Sequence, residues 1–345
     1  MSLPPVPSSV SDDAGVPRFG TYQGALPAVD LGRLTGQYNP GLGRRLLKHK
    51  KWFYSFVATR EVIALCAAVD VGYSSNCFAV VVDLKDKRVL FDDSVLGLAA
   101  PMVHVSNEPS AGLDVRFTSP QLRLNASRPA GSERFHVHTR AGLLGRKLDL
   151  QVDFLAAGAP PPLTVIAPVP LDGVVNVTQK WAGLLAFGTL QAGGRRYILD
   201  GGVGGMDYTH GYLARRTAWR WGFACGRLAD GTPIGLNLVE GFNESREDVN
   251  ENALWLGSRL IPLSRARFSW NKQDPLDKWE VSTDDGAVKL TFKPIGLHRE
   301  ERDLKLLKSW FIQPVGVFEG LITIDGKAHP VENLPGVTED QDILW

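Results

Sequence analysis

Residues Gly201–Trp221 read GGVGGMDYTHGYLARRTAWRW, and we take this stretch as the one around which the chain is organised. An acid, a histidine, two tyrosines, three arginines and two tryptophans follow a run of glycines. The glycines allow the backbone to approach another surface closely. We predict that residues 201–212 form a flexible polar segment where chemistry occurs, and that residues 218–221 begin a strand that forms a wall of a ligand site.

The composition is that of an ordinary globular protein. The 345 residues exceed the size of most single cores, so two domains are expected. A formal net charge of +1 argues against nucleic acid as a partner. The first residues do not resemble a signal peptide, and no apolar run approaches the ~20 residues of a membrane helix. We expect a cytoplasmic protein without an integral membrane segment, and the oligomeric state stays open.

Short β-rich segments separated by turns run through the whole chain. The chain has 36 glycines, 22 prolines and nine tryptophans, a composition that favours strands and turns over long helices. No long segment has the 3.6-residue period of a helix, and residues 299–307 are the main helical candidate outside the basic run at residues 44–51. This pattern predicts an all-β fold of antiparallel strands that close on themselves, with turns at residues 83–88, 193–194, 229–233, 284–286 and 325–326.

The distribution of proline and glycine suggests how the chain is divided. Residues 1–20 are rich in proline and serine, and we predict that they are disordered or loosely attached. The proline-rich stretch Ala156–Pro162 separates two similar halves. We predict an N-terminal barrel-like domain at residues 21–165 and a C-terminal barrel-like domain at residues 166–345.

The two halves contain a weak internal echo. Lys50–Phe56 reads KKWFYSF, and Trp219–Phe223 reads WRWGF. Each is followed by an apolar strand that ends in an acid next to a glycine and an aromatic residue, at Val69–Tyr73 and at Val239–Phe242. Two β-domains built on one plan would give this pattern, although the match is too weak to prove duplication.

Basic residues gather in Arg44–Lys51, which reads RRLLKHKK. A run of this kind is typical of a solvated face, here two turns of helix. The alternative is that it holds an anionic ligand or a membrane surface.

Asp207 is the first candidate for catalysis. A carboxyl group placed against aromatic side chains has its charged form disfavoured, which suits it to proton donation. The alternative is that Asp207 pairs with Arg215 or Arg216 and orders the chain. His210 could shuttle protons with Asp207 or bind a substrate oxygen; the alternative is a structural histidine.

Trp219 and Trp221 alternate with Arg220, so the two indoles share one face of a strand. They either fill a core or line a pocket for an apolar ligand. Glu240 follows as the second candidate acid. The predicted catalytic set is Asp207, His210 and Glu240, and the predicted substrate-binding set is Tyr208, Tyr212, Arg216, Trp219, Trp221, Asn237 and Asn252.

Cofactor signatures are missing from the sequence. The glycine run is no dinucleotide fingerprint, because no amphipathic helix follows it. There is no phosphate-binding G-x-x-x-x-G-K-[ST] loop and no G-x-S-x-G nucleophile elbow. His136 and His138 are a close histidine pair, but no cysteine or carboxylate stands beside them at metal-site spacing. We predict that the protein uses no cofactor and no metal.

Three segments together resemble a large uncharacterised bacterial family. Residues 207–221 fit D-[WY]-x-x-G-x-x-x-x-R-T-x-W-x-W, residues 235–242 fit G-L-N-L-x-E-G-F, and residues 251–253 read E-N-A. Residues 274–276, residues 333–336 and the terminal Trp345 also look like that family. The resemblance covers the chain after residue 20, but this family is one of unknown function and names no reaction.

More remotely, the two-barrel plan resembles the calycin-type fold of carotenoid 1,2-hydratases, AttH-like proteins and lipocalin-like pericyclases. This resemblance implies two consecutive antiparallel lipocalin-like β-barrel domains. In the hydratases, an Asp/His segment before an aromatic strand is implicated in protonating an isoprenoid double bond. By analogy, it implies that role for Asp207 and His210.

Three functional hypotheses follow. The first is a cofactor-independent enzyme that protonates a hydrophobic small molecule (terpenoid, polyene or lipid-like) and thereby hydrates, isomerises or cyclises it. The second is a non-catalytic carrier of an apolar ligand, and the third is a structural or interaction protein with a filled interior. The first two predict a pocket above ~300 Å³ lined by Trp219, Trp221 and at least one carboxyl group.

Overall fold

The computed structural model describes residues 2–303 and 308–345. Within these residues, strands make up nearly all of the regular structure. The described part contains one α-helix, α1 (Gly41–Leu47), and two short 3-10 turns, Gly36–Tyr38 and Leu143–Gly145. No described helix is long and apolar enough to cross a membrane. The prediction of an all-β chain with little helix is confirmed.

The first sheet has 14 antiparallel strands. Its main path runs in the order β5-β4-β3-β2-β14-β12-β10-β9-β8-β7-β6, and β1, β11 and β13 pair beside it. The strands are β1 Gly20–Gln23, β2 His49–Ala58, β3 Val62–Asp70, β4 Ser74–Asp83, β5 Arg88–Leu98, β6 Val103–Val105, β7 Leu113–Thr118, β8 Leu122–Arg128, β9 Arg134–Ala141, β10 Leu148–Leu155, β11 Leu163–Pro168, β12 Val175–Ala192, β13 Arg195–Ile198 and β14 Gly202–Tyr212.

The second sheet has nine antiparallel strands in the order β18-β17-β16-β15-β23-β22-β21-β20-β19. The strands are β15 Arg216–Arg227, β16 Pro233–Glu240, β17 Ala253–Leu256, β18 Arg259–Pro262, β19 Ala266–Ser269, β20 Trp279–Thr283, β21 Val288–Asp303, β22 Lys308–Ile324 and β23 Lys327–Leu344. Each of the five predicted turns joins two consecutive strands, as the glycine- and aspartate-rich turn sequences indicated.

Both sheets curl into near-barrels, as the resemblance implied. In the first sheet, β3 lies across from β6, β7 and β8, and an apolar cluster fills the space between them. In the second sheet, β16 approaches β19, and the backbone N–H of Phe268 donates to Glu240 Oε2 at 3.2 Å. A second apolar cluster fills this interior. Each sheet therefore has its own core, and a third cluster lies between the two sheets.

The two echo strands, β2 and β15, face each other where the sheets meet. Every second residue of each strand points across this interface because side chains alternate along a strand. Three aromatic pairs result, with ring centroids 6.0, 5.1 and 5.7 Å apart: Trp52 with Trp219, Tyr54 with Trp221, and Phe56 with Phe223. The two motifs that looked alike in sequence thus form the two sides of one interface.

The glycine run of residues 201–205 is not a flexible segment, which corrects the sequence-based prediction. Residues 202–212 form β14, which lies between β2 and β12 and is buried throughout. A Cβ atom on Gly205 would lie 2.1 Å from the Trp181 carbonyl oxygen and 2.7 Å from the Phe223 ring. Glycine is needed here because the neighbouring backbone and the opposite sheet leave no space for a side chain.

The chain passes from one sheet to the other between Tyr212 and Arg216, and the predicted boundary at residues 165/166 lies inside the first sheet. The proline-rich stretch that suggested this boundary is a surface connection between β10 and β11.

Residues 2–20 also differ from the disorder predicted for them. Val10 is 1% exposed in the core of the first sheet, and Pro5 pairs with Gln23, because apolar side chains in this segment bury against the sheet.

The helix predicted at residues 299–307 is wrong for residues 299–303, and residues 304–307 lie outside the described part. Residues 299–303 continue β21 and pair with β22, from Arg299 opposite Ile312 to Asp303 opposite Lys308. Exposed and more buried residues alternate along this segment, which is the period of a strand.

Beside this strand end, His298 joins the two sheets through an ionic contact. Its Nδ1 lies 2.6 Å from Asp92 Oδ1 on β5, and its Nε2 lies 3.5 Å from Glu300 Oε1. Burial alone would lower the pKa of His298, but the hydrogen bonds and charges of these two carboxylates outweigh it and raise the pKa to about 9. The imidazole is therefore charged at neutral pH and holds β21 against β5.

Gly205→Ala should lower the free energy of unfolding by ~1–3 kcal/mol, because the added methyl group overlaps a carbonyl oxygen and an aromatic ring. Gly43→Ala is the matched control. Gly43 lies in α1 with open space around its Cα, so alanine should be neutral or stabilise by up to ~1 kcal/mol. Chemical denaturation of both variants checks this, and equal effects would contradict the packed strand.

His298→Gln should destabilise the protein in a pH-dependent way. The raised folded-state pKa means that the stabilisation is fully present below the unfolded value of 6.5 and is lost as the pH rises through about 9. We expect a loss of ~2–3 kcal/mol at pH 6 and a smaller loss at pH 10. Denaturation at both pH values measures it, with His329→Gln as the control. A loss that is the same at both pH values would contradict the charged contact.

Candidate functional site

A cleft of about 150 Å³ lies between the two sheets. β2, β3, β4 and β14 line it on one side, and β15, β22 and β23 on the other. Trp219, Trp221 and several carboxyl groups line the cleft as expected, but its volume is half of the ~300 Å³ that we expected for a whole ligand. A space of this size admits a benzene-sized group. Its aromatic lining consists of Trp52, Tyr54, Phe78, Trp219, Trp221, Phe242, Phe311 and Trp345.

Lys180 is the buried cation of this cleft. It lies opposite Asp207 in the β12–β14 ladder, and its Nζ is 2.7 Å from Asp207 Oδ2 and 3.3 Å from Glu251 Oε2. Its Nζ also stands 5.5 Å from the centre of the Trp221 ring. Burial alone would lower the pKa of Lys180, but the two carboxylates outweigh it and raise the pKa. Lys180 is therefore charged, and it was not among the residues predicted from sequence.

Asp207 lines the cleft, but its carboxylate is fully engaged as an acceptor. Besides Lys180, Trp52 Nε1 donates to Oδ2 at 3.2 Å and Thr178 Oγ1 donates to Oδ1 at 3.1 Å. All three donors belong to the protein, so Asp207 is held in place as a hydrogen-bond acceptor at the wall of the cleft. Arg216, a predicted partner of Asp207, instead binds Asp342 at the surface.

Glu339 on β23 is a carboxyl group of the cleft with a strongly raised pKa. Burial raises its pKa to about 7, and the charge of Asp207 adds to this effect. Trp219 Nε1 donates to its Oε1 at 2.6 Å, and Gln313 Nε2 donates to its Oε2 at 2.7 Å. These contacts hold the carboxyl group at the wall of the cleft. A group with a pKa near 7 can both give and accept a proton there.

Sequence reasoning missed Glu339, although a signal was present. Residues 337–342 read VTEDQD, in which polar residues fill consecutive positions of what proves to be a long strand. Both faces of a strand carry side chains, so one face of such a segment must bring carboxyl or amide groups toward the interior. Glu339 and Gln341 lie on that face and line the cleft, whereas Asp342 lies on the other.

Tyr54 places a phenol beside these groups. It pairs with Asp207 across the β2–β14 ladder and packs edge-on against Trp221. Its buried hydroxyl has no hydrogen-bond partner among the described residues. Burial raises its pKa, and the negative charges of Glu339 and Asp207 act in the same direction. The hydroxyl therefore stays protonated and can donate to a ligand oxygen.

Three predicted site residues on β14 point away from the cleft. Residues three apart in a strand lie on opposite faces, so His210 cannot act together with Asp207. His210 lies inside the first sheet with its Nε2 2.6 Å from His49 Nε2, and burial lowers its pKa well below the usual range. Tyr208 donates to the Ser106 carbonyl oxygen in the same interior, and Tyr212 lies there against His49.

Asn237 stands behind the wall of the cleft: it accepts from Trp221 Nε1 at 2.8 Å and donates to the Glu251 carbonyl oxygen at 2.7 Å. Asn252 accepts from the Val239 backbone N–H at 2.6 Å. Glu240 lies on the opposite face of the second sheet and binds Arg220 at 2.9 Å. The structure therefore brings Asp207, Trp219 and Trp221 to the cleft, with Asn237 supporting Trp221.

One known structure shares the fold, and two others are reported with it. An AttH-like protein from Nitrosomonas europaea is 11% identical, with a TM-score of 0.50 over 86% of this chain and 92% of that chain. Kievitone hydratase from Nectria haematococca is 11% identical, with a TM-score of 0.49 over 100% of this chain and 98% of that chain. CghA, solved with Sch210972, is 12% identical, with a TM-score of 0.48 over 99% of this chain and 98% of that chain. The likeness to the AttH-like protein is one of fold alone.

No curated protein matches the chain. A family described as a domain of unknown function, DUF2804, matches residues 6–345. The match takes in both sheets and all the residues that line the cleft. It also confirms the resemblance that the motifs at residues 207–221, 235–242 and 251–253 indicated. The chain therefore belongs to the DUF2804 family.

Proposed function

We propose that the protein is a cofactor-independent enzyme that transfers a proton to a hydrophobic small molecule of the terpenoid, polyene or lipid-like class. The result is hydration, isomerisation or cyclisation. The observation that carries this proposal is the position of Glu339, a carboxyl group with a pKa of about 7 that is held by Trp219 in an aromatic cleft. Apolar walls select the substrate, and the carboxyl group supplies the proton.

The proton moves from Glu339 to a carbon–carbon double bond of the bound substrate. The electron pair of the double bond forms the new C–H bond, and positive charge develops on the neighbouring carbon. In hydration, water adds to that carbon and its released proton restores Glu339. In isomerisation, a proton leaves another carbon and returns to the same carboxylate. In cyclisation, the electron pair of a second double bond in the substrate first bonds to the cationic carbon and closes the ring, and a proton then leaves a carbon next to the new cation and returns to the carboxylate. Glu339 therefore acts first as general acid and then as general base.

The surrounding groups stabilise the developing charge. The ring faces of Trp219 and Trp221 attract a cation by ~0.5–2 kcal/mol per contact. The carboxyl group of Asp207 is held at the cleft by Lys180, Trp52 and Thr178. Tyr54 is placed to donate to a substrate oxygen. Such groups need no reorganisation during the reaction, which makes their field effective.

The carrier hypothesis explains the aromatic walls of the cleft but gives no role to its buried charged groups. Burying Lys180, Asp207 and Glu251 costs free energy that an apolar lining would not, and buried titratable groups in a cleft are typical of catalytic sites. The volume is smaller than the ~300 Å³ that both hypotheses predicted, so the cleft takes one part of a molecule and not the whole. The buried titratable groups are the feature that favours the enzyme.

Glu339→Gln should abolish turnover while keeping the cleft intact. The amide retains an acceptor for Trp219 but cannot give up a proton, so kcat should fall by at least ~100-fold. The assay incubates a panel of terpenoid alcohols, polyenes and unsaturated fatty acids in D2O and follows deuterium uptake by mass spectrometry. In the wild type, activity should decline as the pH rises through about 7, where Glu339 loses its proton.

Asp342→Asn is the matched control for Glu339→Gln. Asp342 lies on the same strand but on the opposite face, where it is 41% exposed and binds Arg216, so activity should stay within about twofold of the wild type. If Glu339→Gln converts an accepted substrate as fast as Asp342→Asn does, the proposed acid is wrong. If both bind the substrate and neither the wild type nor the variants convert it, the carrier hypothesis is the better one.

Lys180→Met should destabilise the protein by ~3–5 kcal/mol, because it leaves two buried carboxyl groups without their cation. Combining it with Asp207→Asn and Glu251→Gln should restore most of the loss, since no uncompensated charge then remains. Chemical denaturation of the single and triple variants measures the coupling. Additive losses in the triple variant would contradict the buried charge cluster.

A further inference from the structure

One edge of the molecule, which we call the rim patch, carries apolar side chains that face solvent. Leu171 is 92% exposed, Leu42 is 76% exposed, and Leu46 and Leu47 are each about 60% exposed. Globular proteins rarely leave a contiguous apolar surface open without a function. The rim patch consists of Leu42, Leu46, Leu47, Tyr73, Leu98 and Leu171.

The members of the rim patch come from four segments that contact one another. α1 touches the turn that carries Tyr73, because a Cβ atom on Gly72 would lie 3.3 Å from the Leu46 carbonyl oxygen. Ser74, the next residue in that turn, pairs with Leu98. On the other side of α1, Arg44 Nε donates to the Asp172 carbonyl oxygen at 3.2 Å, which places Leu171 next to the helix.

The rim patch borders the mouth of the cleft. Ser74 and Leu96, both next to Leu98 in the β4–β5 hairpin, line the cleft. Val71 and Trp345 line it as well, and they pack around the side of the turn that carries Tyr73. An apolar molecule that leaves the cleft at this edge therefore meets the rim patch.

The exposed charge of α1 is positive. Residues 41–47 contain Arg44 and Arg45 and no acidic residue. Arg45 is exposed between the leucines, Lys48 pairs with Asp172, and Lys50 is buried beneath the turn with its Nζ 4.6 Å from the centre of the Tyr73 ring. Leucines interleaved with basic residues on a short surface helix match an anionic lipid surface, which attracts both kinds of side chain.

The backbone at Leu171 adds a second observation. Leu171 has φ +64°, in the left-handed region that a leucine rarely adopts, and its side chain is almost fully exposed. A strained backbone that holds an apolar side chain out in solvent is a feature that folding stability alone does not favour.

We propose that the rim patch binds the surface of a membrane that contains anionic lipids. Its side chains protrude from one helix and separate turns, so they would insert among lipids without a partner of complementary shape. A protein partner would need such a shape, which makes it the weaker explanation. The binding surface stands independently of the proposed function. A further step, in which the substrate enters the cleft from the bilayer, rests on the proposed function.

Vesicle flotation tests the rim patch directly. Vesicles of phosphatidylcholine alone are compared with vesicles that contain about 30% phosphatidylglycerol, at low and at high salt. We expect the protein to float with the anionic vesicles and to lose binding at high salt. Leu42→Ser/Leu46→Ser/Leu47→Ser and Arg45→Glu should each weaken binding at least tenfold, and both variants should fold because these side chains are exposed.

Leu143→Ser is the matched control. Leu143 is 76% exposed, as Leu42 is, but it precedes β10 near the far end of β12 from Leu171, so binding should not change. Glu339→Gln should also float like the wild type, which separates a failure of the rim patch from a failure of the proposed chemistry. Absence of wild-type binding to anionic vesicles overturns the proposal, as does equal binding by the triple variant. The proposal is also overturned if the wild type binds no vesicles but self-associates, and only the triple variant abolishes that self-association. This result would identify the rim patch as a protein interface.

Discussion

The buried charge of Lys180 is the interaction on which the site depends. Its ammonium group joins β14 of the first sheet, through Asp207, to Glu251 ahead of β17 in the second sheet. One cation cannot neutralise three buried carboxyl groups, and Lys180 contacts two of them closely. Glu339, the third, is held by the neutral donors Trp219 and Gln313, and burial raises its pKa to about 7. Burial also raises the pKa of Glu251, but there the charge of Lys180 opposes the effect. The placement of one lysine therefore gives the buried acids of the cleft different surroundings.

The position of the cleft follows from how the sheets meet. Gly205 lies opposite Phe56 in the ladder and packs against Phe223, so the sheets come together closely at this point. Tyr54 lies two residues before Phe56 on β2, and Trp221 lies two residues before Phe223 on β15. The cleft opens on this side of the contact. Apolar side chains fill the interiors of both near-barrels. The titratable groups of the cleft are accordingly found at the interface between the sheets rather than inside either one.

Much of the fold could be predicted from sequence because turns and strand alternation are local properties. The five turns and the shared face of Trp219 and Trp221 follow from residue spacing alone. The glycine run misled us, because glycine gives flexibility in a loop and close packing in a strand, and the difference lies in neighbours distant in sequence. Pairing Asp207 with His210 ignored that a strand places them on opposite faces. The sequence could not show that Glu339 and Lys180 lie near Asp207. Their proximity depends on the strand order β2-β14-β12 and on the position of β23 in the opposite sheet.

The basic segment of the chain contributes different side chains to the rim patch and to the cleft. Along β2, His49 and Lys51 point into the first near-barrel, Trp52 points to the cleft, and the preceding helix projects leucines into solvent. A segment that served only as a solvated face would not need those leucines, which gain nothing from exposure to water. Their position beside a cleft with apolar walls supports the proposal that the molecule meets its substrate at a membrane surface. In that arrangement, the short path between lipid and Glu339 would keep an apolar substrate out of water while the buried carboxyl group retains its proton.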